Sequence, residues 1–204
     1  KEGNVNDWWS GEDAAACEEH TDILVKRCDA IEVLPARDGE PALHANGALS
    51  LGENIADQGG LRVAWTAYHN SLEGKEAPAP IDGFTDAQRF YLAYATLWAQ
   101  NIRDEEIARL TKLDVHSLGQ WRVNATLRNL QDFYDAFGIT DGEMFLPVEE
   151  RVVLWYGGRR GRGFSPPAAL RQPQRQKRPE PYGVPAFFLS GGLVPVRAFS
   201  LPGG

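Results

Sequence analysis

The most restrictive feature of this sequence is a helical pattern that ends abruptly. Apolar residues recur at helical spacing behind helix-start signals along much of the chain, and this pattern does not continue beyond Trp155. Eight of the 13 prolines follow Trp155, together with glycine pairs and a run of arginines. We therefore expect a mainly α-helical region over residues 1–155 and a disordered tail, rich in proline, glycine and arginine, over residues 156–204.

Charge also differs between these two regions. The formal net charge of the chain is −7, yet residues 156–204 contain eight Lys or Arg and one Glu. The basic run from Arg171 to Arg178 would suit an anionic partner, but no aromatic residues interleave it and the helical region is strongly acidic. We expect no nucleic-acid partner, and we favour a non-native extension as the origin of the tail.

The chain offers few clues to its cellular compartment. Lys1 is neither a methionine start nor part of a signal peptide, so we expect the chain to be a fragment. No stretch approaches the roughly 18 consecutive apolar residues of a membrane span. Cys17 and Cys28 lack the spacing of a cysteine zinc site or of a disulfide framework.

Three signals predict where the longest helices begin. Ser10 is suited to cap a helix over residues 11–28. Ser50 with Glu53 has capping-box spacing and predicts a helix over residues 50–72, and Thr85 with Gln88 repeats the pattern before an aromatic-rich run. Further helices are expected over 104–113 and 129–137, with a polar loop over 114–122 between them. No strand is expected within the chain.

Two carboxylates mark the most informative of these helices. Glu53 and Asp57 lie four positions apart, so they share one helical face and repel each other unless a cation or donor joins them. On these two residues alone, an exposed acidic face is the favoured explanation. Gly59 and Gly60 favour a site, because two glycines weaken a helix and suggest that another group approaches closely.

The residues from Gly52 to Leu61 read GENIADQGGL and resemble the GENIADxGGL signature of the M13, or neprilysin-like, zinc metallopeptidases. Asp114 to Ser117, with Arg122 to Asn124, resembles the DxHSPxxxRVN motif of the same family. The resemblance covers residues 1–155. It implies the C-terminal helical half of a thermolysin-like (gluzincin) catalytic domain and the zinc-dependent cleavage of oligopeptides.

The resemblance also implies roles for individual residues. Glu53 matches the third protein ligand of one catalytic Zn²⁺, whose other two ligands are the histidines of an upstream HExxH. Asp57 matches a carboxylate that hydrogen-bonds a zinc-bound histidine. Without the resemblance, neither residue would be assigned to a metal.

Three further residues match the substrate-facing positions of the family. His116 matches the histidine that stabilises the oxyanion of the tetrahedral intermediate, although on its own it could be a loop histidine bonded locally. Arg122 matches the arginine that binds a substrate carbonyl, or else forms a surface ion pair. Trp98 matches a wall of the S1′ pocket, or else is a core aromatic.

The chain departs from the family pattern in one decisive respect. Its four histidines are His20, His44, His69 and His116, and no two have HExxH spacing. We therefore expect the isolated chain to be inactive, with the HExxH segment and the large N-terminal lobe of the parent enzyme missing from it. Leu118 replaces the usual proline, and cysteines are absent from Val152 to Trp155, as in the bacterial members.

Two alternatives remain at this point. The chain could be a non-catalytic helical interaction module derived from a peptidase, or a binder of anionic partners through its tail. The resemblance alone suggests an exported, periplasmic or cell-surface parent.

Overall fold

The computed structural model describes residues 10–154, apart from the side chain of Asp13. The predicted disorder after Trp155 lies outside the described residues. Mainly helical structure is confirmed, and no helix within 10–154 is long and apolar enough to cross a membrane. The elements, in chain order, are α1 (Gly11–Asp29), β1 (Glu32–Leu34), β2 (Leu43–His44), α2 (Gly47–Ser71), α3 (Asp86–Leu97), α4 (Asp104–Leu113), α5 (Gly119–Leu127), α6 (Gln131–Phe137) and a single 3-10 turn (Val148–Glu150).

Helix α2 begins three residues before its predicted start. Asn46 caps it, because its side-chain oxygen accepts a hydrogen bond from the backbone N–H of Leu49. Ser50 instead lies buried in the first turns, where its hydroxyl donates to the carbonyl of Asn46 at 2.9 Å. The capping box predicted at Ser50 and Glu53 is therefore wrong, since Ser50 bonds backward along the helix.

The next two helices begin as predicted. Thr85 and Gln88 form a reciprocal capping box at the start of α3. Helix α4 spans the expected Asp104–Leu113. Within α3, Tyr91 and Ala95 are the buried positions, while Leu97 is 76% exposed.

A short hairpin corrects the expectation that the chain contains no strand. Strands β1 and β2 pair antiparallel, with Glu32 opposite His44. At the tip, Arg37 and Glu40 exchange backbone hydrogen bonds around Asp38 and Gly39, both of which have positive φ. Asp-Gly favours such two-residue turns, because glycine adopts positive φ without steric cost and aspartate tolerates it.

The expected polar loop over 114–122 is only half correct. Residues 114–118 form a loop, but α5 begins at Gly119 and carries Val123 and Leu127 into the core with no exposure to solvent. Gln120, Arg122, Asn124 and Thr126 alternate with the less polar residues of this helix and conceal its apolar face. Helix α6 begins at Gln131, and Gly138 ends it with a left-handed φ of 63°.

The core forms where α2, α3, α5 and α6 meet. Tyr91 is its centre: it stacks on Trp65 of α2 at 5.1 Å between ring centroids and meets Phe133 of α6 edge to face at 5.5 Å. Tyr91 and Phe133 are almost completely buried. Each such aromatic pair contributes about 0.5–1.5 kcal/mol beyond the area it buries.

Helix α2 is held at its start and again near its middle. The carboxylate of Asp29 in α1 accepts from the backbone N–H of Gly47 at 2.7 Å, and a Cβ at Gly47 would collide with the carbonyl of Val25. Eleven residues later, buried Gln58 donates to the carbonyl of Val152 at 2.6 Å. The residues between these two points are therefore held firmly in place.

Candidate functional site

The two carboxylates singled out by the sequence lie on α2, between its two points of attachment. Glu53 and Asp57 face the loop over residues 114–118 and the start of α5, respectively. Each meets a basic side chain from that segment. The distant motifs that carry the resemblance therefore come together in space.

Asp57 and Arg122 form the most closely bonded pair of the site. Nε and Nη2 of Arg122 donate to the two oxygens of Asp57, both at 2.6 Å. The two side chains are only 13% and 11% exposed. The bonds to Asp57 raise the pKa of Arg122 above its ordinary value. This fork-to-carboxylate arrangement fixes one edge of the guanidinium.

Helix α3 supports Arg122 from the other side. The guanidinium lies over the ring of Trp98, with Cζ 3.8 Å from the ring centroid. The hydroxyl of Tyr94, one turn earlier, donates to the backbone carbonyl of Arg122 at 3.1 Å. Burial raises the pKa of Tyr94 to about 12, so this phenol stays protonated at neutral pH. Trp98 thus has one ring face covered by a cation.

Glu53 and His116 form a second and more open pair. His116 Nε2 lies 3.3 Å from Glu53 Oε2, and these side chains are 43% and 41% exposed. The other ring nitrogen, Nδ1, lies 2.7 Å from Asp114 Oδ1, which also accepts from the backbone N–H of His116 at 3.0 Å. The hydrogen bonds from His116 lower the pKa of Asp114. Asp114 therefore fixes the ring in a defined orientation.

A neighbouring contact attaches the same loop to α2 independently of Glu53. The hydroxyl of Ser117 donates to Asn54 Oδ1 at 2.8 Å. Asn54 Nδ2 in turn donates to the hydroxyl of buried Ser50 at 3.2 Å. Because Asn54 and Ser117 directly follow Glu53 and His116, two adjacent contacts set the position of the loop along the helix.

The described residues supply only part of a metal site. Among residues 10–154, no group of three or more His, Cys, Asp or Glu side chains is arranged to hold a metal ion. Glu53 offers a half-exposed carboxylate, and the side chain of His116 that contacts it is itself exposed. The donor set fits a hard or borderline cation through one carboxylate, with the remaining ligands supplied from elsewhere.

All five candidate residues from the sequence lie in this region, but their partners were not all foreseen. Asp114, Asn54 and Ser117 were not assigned a role. Asp114 could have been found from its position two residues before His116, since Asp side chains commonly accept from the backbone two residues on. The Asn54–Ser117 contact left no signal in the sequence, because it joins positions 63 residues apart.

Of the two glycines at which a close approach was expected, Gly60 shows none within the described residues. A Cβ at Gly60 would meet no described atom within 4 Å. The steric requirement lies instead at Gly47 and Gly119, where a Cβ would collide with the carbonyl oxygens of Val25 and Trp98. Both of these glycines stand at the first residue of a helix that carries site residues.

Known proteins resemble this chain over most of its length. The family model described as peptidase family M13 matches residues 1–153. Neprilysin-21 of Caenorhabditis elegans is 35% identical over 158 residues, which are 75% of this chain and 20% of that protein. The neutral endopeptidase of Lactococcus lactis is 32% identical, over 76% of this chain and 22% of that protein. The chain thus spans about a fifth of the length of these relatives.

A solved structure shares the fold. The zinc metalloprotease Zmp1 of Mycobacterium tuberculosis, in complex with an inhibitor, superposes with a TM-score of 0.70 at 38% identity. The match covers 75% of this chain and 23% of that one. With its two signature motifs joined in one site and the family model covering three quarters of its length, the chain belongs to peptidase family M13.

Proposed function

We propose that residues 1–155 form the C-terminal part of the catalytic domain of a zinc-dependent metalloendopeptidase that cleaves oligopeptides. The observation that supports this most directly is the Glu53–His116 contact beside the Asp57–Arg122 pair. It supports the proposal because Glu53, the residue proposed to bind the metal, lies beside His116, the proposed oxyanion donor, and near the firmly held Arg122. Residues 156–204 are not required by the proposal.

Glu53 is the residue of this chain that would bind the zinc ion. The two histidine ligands would come from a segment outside residues 10–154. When bound, zinc acts as a Lewis acid on the scissile carbonyl. Binding of Glu53 to the ion would release His116 from its contact with Oε2 while leaving the Asn54–Ser117 contact intact.

His116 would stabilise the oxyanion that develops on the scissile carbonyl. With Nδ1 bonded to Asp114, the ring donates from both nitrogens only when it is protonated. Nε2 then points a charged N–H toward the place now taken by Glu53 Oε2. Removing one such donor typically lowers kcat by about 10²–10³-fold.

The remaining residues would bind the peptide and hold the ligands. Arg122 would donate to a backbone carbonyl of the substrate, and Trp98 would form one wall of the pocket for the side chain after the scissile bond. Asp57 would accept from a zinc-bound histidine in addition to Arg122, since each carboxylate oxygen can accept more than one hydrogen bond. The isolated chain is expected to be inactive, and export of the parent enzyme is an expectation from the resemblance.

A chimeric enzyme tests the proposal. Residues 1–153 replace the matched segment of the Lactococcus lactis neutral endopeptidase, and zinc content and cleavage of a fluorogenic peptide are measured. We expect a zinc-containing, active enzyme. Glu53→Gln should lose zinc and activity, whereas His116→Ala should retain zinc and lose kcat by about 10²–10³-fold. Glu73→Gln, on the exposed segment after α2, is the matched control.

The proposal fails if the chimera folds and binds zinc but cleaves no peptide that the parent cleaves. It also fails if Glu53→Gln retains full activity. Circular dichroism establishes folding, and a narrower exchange of residues 46–124 alone serves if the larger one misfolds.

A further inference from the structure

The guanidinium of Arg122 is held on more sides than a surface ion pair requires. Asp57 binds one edge of the fork through Nε and Nη2. The ring of Trp98 covers one face, 3.8 Å from Cζ. The two bonds fix rotation within the plane, and the ring fixes the tilt of that plane.

The position of Trp98 depends on a close contact between two backbones. Trp98 follows the last residue of α3, and a Cβ at Gly119 would collide with its carbonyl oxygen. The same Cβ would lie 2.8 Å from Oε1 of Gln100, which accepts from the Gly119 N–H at 3.2 Å. Any side chain at position 119 would therefore push the start of α5 away from the end of α3.

This contact determines where Arg122 lies. Gly119 is the first residue of α5, and Arg122 follows three positions later, on the same side of the helix. The Tyr94 hydroxyl, one turn before Trp98, bonds the carbonyl of Arg122. Helix α3 therefore holds α5 at Gly119, at the backbone of Arg122 and at its guanidinium.

One edge of Arg122 remains available. Two of its five N–H groups bind Asp57, and within residues 10–154 the structure records no hydrogen bond from Nη1. A donor fixed in this way suits an acceptor of defined direction, such as a peptide carbonyl oxygen, because little freedom remains to be lost on binding.

We propose that Trp98 and Gly119 are positioning residues, which orient Nη1 of Arg122 toward the backbone carbonyl of a bound peptide. The inference rests on the proposed peptidase function and deepens it, since Trp98 acts here through Arg122 and not only as a pocket wall. Asp57 alone would fix the edge of the guanidinium, while Trp98 and Gly119 fix its plane and its distance from α2.

The direct test is NMR of the full 204-residue chain with ¹⁵N-labelled arginine. The ring of Trp98 should shift the Arg122 Nε–Hε signal upfield, and Asp57 should slow its exchange with water. Trp98→Leu should abolish the upfield shift, and Trp98→Phe, which keeps a ring, should retain part of it. Gly119→Ala should move the same signal. Leu97→Ala, an exposed neighbour on α3, should leave it unchanged.

The second readout uses the zinc-loaded chimera. Trp98→Leu should lower kcat/KM for a peptide by at least about tenfold at unchanged zinc content, since misplaced binding groups commonly cost that much. Trp98→Phe, which keeps an aromatic ring, should have a higher kcat/KM than Trp98→Leu.

The positioning role is overturned if Trp98→Leu leaves the Arg122 signal where it is, or if the chimera keeps its kcat/KM. The NMR measurement needs neither zinc nor turnover, so its failure does not affect the proposed function. An inactive chimera would instead contradict the proposed function and leave the geometry of Arg122 as measured.

Discussion

The two carboxylates of α2 lie one turn apart and yet experience different surroundings. Asp57 is 11% exposed, and both of its oxygens are bound by a guanidinium that also lies over an aromatic ring. Glu53 is 41% exposed and makes a single longer contact with an exposed histidine. Within the described residues, both oxygens of Asp57 already have partners, whereas the carboxylate of Glu53 remains largely open to solvent.

This difference would allow one helix to carry both a structural acid and, under the proposed function, a metal-binding acid. Exposed ion pairs contribute little to stability, because water already solvates the charges. A nearly buried pair must stay intact, because removal of one partner leaves the other charge without solvent or counter-ion. The Asp57–Arg122 pair and the Glu53–His116 pair should therefore differ in their contribution to stability, in local order and in pH dependence.

The largest expected effect concerns Asp57. Asp57→Ala should lower the free energy of unfolding by about 3 kcal/mol, since it leaves Arg122 unpaired at 13% exposure. Glu53→Ala, one turn away, should change it by less than about 0.5 kcal/mol. Urea denaturation of the two variants, monitored by circular dichroism, compares them directly.

A double variant provides the control. Combining Asp57→Ala with Arg122→Leu should recover part of the loss, because it removes the unpaired charge. If Asp57→Ala and Glu53→Ala lowered the free energy of unfolding equally, the distinction between a nearly buried pair at Asp57 and an exposed pair at Glu53 would be contradicted.

An intermediate effect is expected at the contact between Asn54 and Ser117. Ser117→Ala should cost about 1 kcal/mol, the usual net contribution of a side-chain hydrogen bond. Amide hydrogen exchange over residues 114–118 should accelerate more than exchange in α5. Ser71→Ala, which removes a hydroxyl bonded to Tyr68 at the exposed end of α2, is the matched control and should leave the loop unchanged.

A double-mutant cycle sharpens this prediction. If Asn54→Ala and Ser117→Ala act through one contact, their combined cost is smaller than the sum of the single costs. Additive costs would show that the loop is held by other contacts.

The smallest expected effects concern how stability depends on pH, which should differ between the two halves of the site. The pKa of Asp114 is lowered, so its stabilisation is present above its unfolded pKa of about 3.9 and disappears as pH falls through the folded value. The pKa of Tyr94 is raised to about 12, so its contribution is complete below about pH 10 and disappears as pH rises toward 12. We expect Asp114→Asn to lose less stability than the original chain as pH falls. We expect Tyr94→Phe to lose less stability as pH rises toward 12.

Unfolding midpoints measured across pH 2–12 check these signs. A Tyr94→Phe variant that loses stability in alkali just as the original chain does would show that the Tyr94 phenol does not titrate as expected.

The helices could be predicted where local chemistry determines them. Thr85 and Gln88 cap α3 because their side chains bond the adjacent backbone, and that pattern is visible within four residues. Helix α5 escaped prediction because Val123 and Leu127 are its main apolar contribution to the core, and the polar residues beside them obscure the period. Ser50 misled the prediction of α2 because its capping pattern is also compatible with a position inside the helix.

The residues of the site could be predicted from the sequence, but not which of them contact each other. The spacing of Glu53 and Asp57 indicated a shared helical face, and the resemblance assigned roles to Arg122 and His116. That Arg122 binds Asp57, while His116 faces Glu53, depends on how α5 and the preceding loop dock on α2. Gly119 also packs against the carbonyl of Trp98 at the end of α3, a contact that no local pattern in the sequence encodes.

The attachment of α2 at Gly47 has a consequence for the lengths that this part of the chain tolerates. Each residue of an α-helix turns the next side chain by about 100°. One residue added or removed between Gly47 and Glu53 would therefore turn both carboxylates away from His116 and Arg122, however well the helix itself formed. At the Asp38–Gly39 turn an insertion would only lengthen an exposed hairpin. We expect natural variation in chain length to occur at the turn and to be absent from the first turns of α2.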